Sequence, residues 1–210
     1  MRNKTMKNVL KIVLIGIFTV FYSANSFAAC SDPAAPGVDW SGCNLEKLNL
    51  QSADLSGADL SKARLKNVNL KHAILTRADL EGANLSGAIL TKADLSAANL
   101  EDANLRGANI AGANLKKAIL TGANLQSSFL IGANLEGADL EDANLQMSRS
   151  QGVRLKGANL EDSKMDNSDF SGSDLSGAPI GGASTFNTLL SNATWINGRR
   201  CPSGAKGNCN

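Results

Sequence analysis

The sequence predicts an all-β solenoid, a chain wound into stacked rungs, and three observations carry that expectation. First, Ala-(Asp/Asn)-Leu recurs every five residues, as in Ala53-Asp54-Leu55, Ala58-Asp59-Leu60, Ala78-Asp79-Leu80 and Ala83-Asn84-Leu85. With the Leu position called i, the frame runs from Trp40 to Trp195, giving 32 repeats over Val38 to Asn197, and only Ser150 and Thr185 are not apolar at i. Second, five is a period that no regular element can bury. A helix rotates successive leucines by about 140° and scatters them around its cylinder. A strand, with a side-chain period of two, sends alternate leucines to opposite faces. The chain must therefore bend once per repeat, with i and i−2 pointing inward and i−1, i+1 and i+2 pointing out.

Third, the glycines sit where such a bend needs them. Of fifteen glycines between Val38 and Asn197, fourteen fall at i+2, including Gly57, Gly82, Gly87, Gly107, Gly132 and Gly177. That is the corner where a turn wanting φ > 0 would use them. Asn or Asp fills i−1 in 20 repeats, where a short polar side chain can bond nearby backbone. Position i−2 is Ala in 21 repeats and Ser in five, small enough to fit between leucines in a narrow tube.

These motifs resemble the pentapeptide-repeat family over about 160 of the 210 residues. The resemblance implies a right-handed quadrilateral parallel β-helix with four pentapeptides per coil, so that 32 repeats make about eight coils. The chain carries its own hint of a 20-residue coil, since Glu-Asp pairs begin at Glu101, Glu141 and Glu161, separated by 40 and 20. At strand spacing the stack would stand about 38 Å tall.

The expected organisation is a signal peptide over 1–28, an N-terminal cap segment over 29–37, the solenoid over 38–197 and a C-terminal cap over 198–210. Arg2, Lys4, Lys7 and Lys11 precede the apolar run Ile12 to Tyr22 and then Ser26-Phe27-Ala28, the pattern of a cleaved export signal. The run is too short for a stable membrane span. Cleavage after Ala28 leaves 17 Lys+Arg against 19 Asp+Glu, so the mature chain is near −2 rather than +2. In an oxidising compartment, Cys30 with Cys43 and Cys201 with Cys209 are expected to form two local disulfides. The rival is lipidation of Cys30, because Phe27-Ala28-Ala29-Cys30 loosely matches a lipobox. Trp40 and Trp195, replacing Leu in the terminal repeats, and the cysteine pairs beside them are read as lids on the raw ends of the coil. The tail Asn197-Gly198-Arg199-Arg200-Cys201 resembles the disulfide-closed extension of exported family members.

With four repeats per coil, outward residues twenty apart share one face. The face built on i = 40, 60, 80 to 180 carries Asp39, Asp59, Asp79, Glu81, Glu101, Asp102, Asp139, Glu141, Asp142, Glu161 and Asp162 against Lys62, a net −10, while the others come to +3, +2 and +1. Carboxylates about 4.8 Å apart repel by roughly 0.9 kcal/mol even in water, so the column is expected to serve as a docking surface for a basic protein, a cation or a polycation. Some family members imitate DNA to occupy gyrase, and the acidic column looks like that device, although export argues against a cytoplasmic target. Nucleic acid is not an expected partner. On the opposite face Ile89, Ala111, Phe129 and Ile131 form an expected apolar contact patch for a homodimer or other partner. Ser150, inside an apolar column, is expected to need a hydrogen-bond partner or a water, or else to mark a local kink.

Composition argues against an enzyme. One histidine, His72, at an outward corner, excludes a His cluster for zinc, and any Ser-His-Asp triad would have to use it. Stacked Glu81 and Glu101 could suggest a polysaccharide hydrolase, but no inserted loop builds a cleft to raise a carboxyl pKa. Neighbouring carboxylates could bind calcium weakly. No cofactor is expected. The reading is an exported, periplasmic or secreted interaction scaffold, with a purely structural envelope element or calcium scaffold as the alternative.

Overall fold

The computed structural model describes residues 30–209. The signal peptide expected over 1–28 lies outside them. From Asp39 to Asp174 the i−1 residue of each repeat, Asn159 excepted, forms a parallel bridge with the residue twenty positions later, as in Asp39 to Asp59 to Asp79 and Asn44 to Arg64 to Asn84. One turn of the chain therefore consumes four pentapeptides. We number the four sides of a turn by their i residues: side one holds 40, 60 and so on, side two 45, side three 50 and side four 55.

The hydrogen bonds repeat with the sequence. On side one Leu60 N donates to Asp79 O at 2.7 Å, Asp79 N to Ala58 O at 2.9 Å, and Gly82 N to Glu101 O at 2.8 Å. Within the corner Ala83 N donates to Leu80 O at 3.0 Å, closing a four-residue turn. Its third residue, i+2, has φ between 54° and 71° at every repeat from Gly42 to Asn192, in fourteen glycines and seventeen other residues, as a type II turn requires. Glycine is favoured at that corner because a Cβ there is strained. Lys, Asp, Asn, Arg and His72 adopt it too, because the rungs above and below hold the turn.

Inside, the leucines at i and the alanines at i−2 are almost wholly buried, forming one continuous core from Trp40 to Ala193 and Cys201. Where Ser replaces Ala, at every such position but Ser148 its hydroxyl is satisfied by the turn: Ser128 donates to Leu125 O at 2.6 Å, Ser163 to Leu160 O at 2.7 Å, Ser173 to Phe170 O at 2.6 Å and Ser168 to Met165 O. Ser150 finds its partner one step away, with its Oγ 2.9 Å from that of Ser148.

The ends depart from the expected closure. At the C-terminus the tail folds back antiparallel over sides three and four, bridging Leu189 with Lys206 and Thr194 with Arg200, and Cys201 is bonded to Cys209 with Cα atoms 4.9 Å apart. At the N-terminus Cys30 is bonded to Cys43, Cα atoms 5.5 Å apart, and Gly37 N donates to Ser56 O beneath side four. This segment does not reach beneath side three. Leu48, an i−2 residue expected to point inward, is 43% exposed there, and Leu50 and Ala53 are only half-buried. The expectation that every i−2 side chain is enclosed fails at this rung, because among the described residues no preceding rung covers it.

Candidate functional site: an acidic wall with a neutral rung

The twenty-residue register places the predicted acidic residues on side one in three columns. Asp39, Asp59, Asp79 and Asp139 stand at i−1, half-buried between their neighbours. Glu81, Glu101, Glu141 and Glu161 at i+1, and Asp102, Asp142 and Asp162 at i+2, are exposed or nearly so. Successive rungs lie about 4.8 Å apart.

The two kinds of carboxylate have different surroundings. An i−1 Asp accepts from the backbone two residues on: Glu81 N donates to Asp79 Oδ1 at 3.0 Å and Glu141 N to Asp139 Oδ1 at 3.2 Å. Asparagines in the same column supply a further donor, Asn99 Nδ2 to Asp79 Oδ1 at 3.1 Å and Asn159 Nδ2 to Asp139 Oδ1 at 3.1 Å. The first rung is similar, where the Ser41 hydroxyl and then its amide hold the Asp39 carboxyl below the usual range. The i−1 aspartates thus serve the corner. Of the i+1 and i+2 carboxylates of this wall, Glu141 accepts one bond, from Asn159 Nδ2 at 3.2 Å, and the rest face solvent.

Among the described residues no cation forms an ion pair with them. The ion pairs among the described residues are Arg64–Glu46 on side two and Lys116–Glu136 and Arg154–Glu136 on side four. No three His, Cys, Asp or Glu side chains among the described residues converge to hold a metal ion.

The register also shows what a charge count conceals. Ile119, Thr121 and Gly122 make one uncharged rung across side one, and Ile119 is 44% exposed. It divides the wall into a lower group, Asp59, Asp79, Glu81, Glu101 and Asp102, and an upper group, Asp139, Glu141, Asp142, Glu161 and Asp162. The signal was available in the sequence, as an Ile at i−1 twenty residues from Asp139, but it gains meaning only when its vertical neighbours are known.

The apolar residues of side three are brought together only in part. Ala111 lies one rung below Ile131, and Phe129 stands beside Ile131 on the same rung. Ile89 is separated from Phe129 by Asn109 in the same ladder. Arg149, one rung above, lays its guanidinium 5.5 Å from the Phe129 ring centroid, a cation–π contact that covers part of the patch. No helix among the described residues is long and apolar enough to cross a membrane.

The family model for pentapeptide repeats matches with eight copies over residues 26–61, 63–102, 88–126, 98–137, 118–149 and 151–183. Among solved structures, trypsin-treated QnrB1, a plasmid-mediated fluoroquinolone resistance protein, is 22% identical over 73% of this chain and 86% of its own, with a TM-score of 0.54. HetL, a pentapeptide repeat protein involved in heterocyst differentiation regulation from the cyanobacterium Nostoc sp. strain PCC 7120, is 28% identical over 82% of this chain and 95% of its own, with a TM-score of 0.45. Rfr23 from the cyanobacterium Cyanothece 51142 is 31% identical over 73% of this chain and 91% of its own, at a TM-score of 0.35. No curated protein matches the chain. The QnrB1 likeness supports the shared fold.

Proposed function

The chain belongs to the pentapeptide-repeat family, whose members fold as right-handed quadrilateral β-helices, and on that premise we propose that it is a non-enzymatic, exported solenoid of about eight four-pentapeptide coils that captures a basic protein partner on side one. The observation that carries this reading is the wall of unneutralised carboxylates divided by Ile119. Like charges held in register cost stability unless something outside the fold compensates them. A basic segment would place cations against both acidic groups and an apolar side chain over the neutral rung, giving the interface a desolvated centre with a charged rim.

Export is supported by the terminal disulfides, Cys30 with Cys43 at the first coil and Cys201 with Cys209 in the tail, and by the signal pattern upstream. An enzymatic reading lacks a feature to build on, since the glutamates stand on a flat wall. The apolar cluster Phe129, Ile131 and Ala111 on the opposite side offers a smaller second contact.

The test is charge reversal of Glu101, Asp102, Glu141 and Asp142 to Lys. Capture of a lysine-rich peptide with a central leucine, measured by calorimetry, should be abolished while circular dichroism stays unchanged. Equal capture by wild type and variant would overturn the proposal.

A further inference from the structure

At the first rung of side three, Asn49 presents both its N–H and its C=O to the open end of the coil. In later rungs of this side the equivalent groups are paired: Asn69 N donates to Leu48 O at 2.9 Å, and Asn69 O accepts from Leu50 N at 2.8 Å. Asn49 has neither bond among the described residues. Its side-chain Oδ1 accepts from Asn69 Nδ2 at 2.9 Å, which leaves its own Nδ2 available as a further donor. Beside it Leu48 exposes 43% of its surface. An apolar side chain next to an unpaired N–H and C=O on one residue is a strand edge ready for a partner.

Three observations identify the partner. The same side is closed at the other end by an antiparallel segment, where Leu190 N donates to Ala205 O and Gly207 N to Thr188 O, both at 2.9 Å. That tail blocks the upper edge of side three, so one copy cannot stack head to tail on another there. A residue offering both backbone groups is self-complementary in the antiparallel sense, since two such residues facing across a two-fold axis exchange two hydrogen bonds. Finally, if export removes residues 1–28, only Ala29 precedes Cys30, and one residue spans about 3.5 Å, too little to cover the edge.

We propose that the first-rung edge of side three, Leu48 to Gln51, pairs antiparallel with the same edge of a second copy, Asn49 against Asn49, so that each Leu48 side chain packs against Leu50 of the other copy. The pairing joins a single short edge of each copy. The interface is therefore well below the roughly 1,200 Å² of a standard complex, and association is weak. It places the two acidic walls on one side of the dimer, end to end. This proposal stands independently of what binds those walls.

The experiment is sedimentation velocity on the exported, processed protein from micromolar to millimolar concentration, paired with hydrogen exchange at both extremes. The expected result is a dimer at the upper end, abolished by Leu48→Lys and untouched by Phe186→Lys on the far end of the coil. The Asn49 amide should exchange freely when dilute and become protected when concentrated. A monomer throughout, a dimer indifferent to Leu48→Lys, or an Asn49 amide already protected when dilute, meaning the edge is covered by its own chain, would each overturn it.

Discussion

Asn159 donates from its Nδ2 to two carboxylates at once, Asp139 Oδ1 at 3.1 Å and Glu141 Oε2 at 3.2 Å. A neutral amide here stands where a cation would otherwise be expected, and Asn99 makes the lower of these contacts with Asp79. Replacing Asn159 by Asp removes the donor and adds a third carboxylate to the group. Stability should fall by about 1–2 kcal/mol at low salt, with the loss shrinking in high salt as the added repulsion is screened. Urea unfolding at two ionic strengths would check this. Asn124→Asp, on side two away from such a group, should cost less.

Ser148 and Ser150 form a hydroxyl pair inside the apolar column, both essentially buried. Ser150→Ala leaves the Ser148 hydroxyl without that partner, and the cost should be about 1–3 kcal/mol. The double change Ser148→Ala with Ser150→Leu restores the neighbouring pattern and should recover most of the loss. A thermal-melt double-mutant cycle separates the pair from its parts, and additive single effects would show that the two hydroxyls do not act together.

Asp166 accepts from the Ser184 hydroxyl, from Gln146 Nε2 at 2.9 Å and from the Phe186 amide at 2.8 Å. The Ser184 bond first, then that of Gln146, holds its carboxyl below the usual range. A lowered folded value means the unfolded chain binds the proton more readily. The contribution is therefore complete above the unfolded value of about 4 and is lost as pH falls through the lower folded value. Stability measured down a pH series should drop in that interval, and Asp166→Asn should flatten the drop. An unchanged acid limb in the variant would show that other carboxylates, such as Asp39 and Asp54 with their serine partners, account for it.

The period of five, the inward Leu and Ala, and the glycine corners were legible in the sequence because each is a local rule repeated many times, and repetition makes even weak preferences readable. The register of twenty followed from a resemblance and a hint in the Glu-Asp spacing. Once applied, it placed the acidic residues on one wall. What the sequence could not reveal lies where repetition stops. That Leu48 is uncovered, that the tail returns antiparallel over Leu189 and Thr194, and that Arg149 shields Phe129 all depend on what sits one rung above or below. Only the tertiary structure decides these things, because a terminal rung has a neighbour on one side only, and the chain beyond it follows no period from which its path could be read.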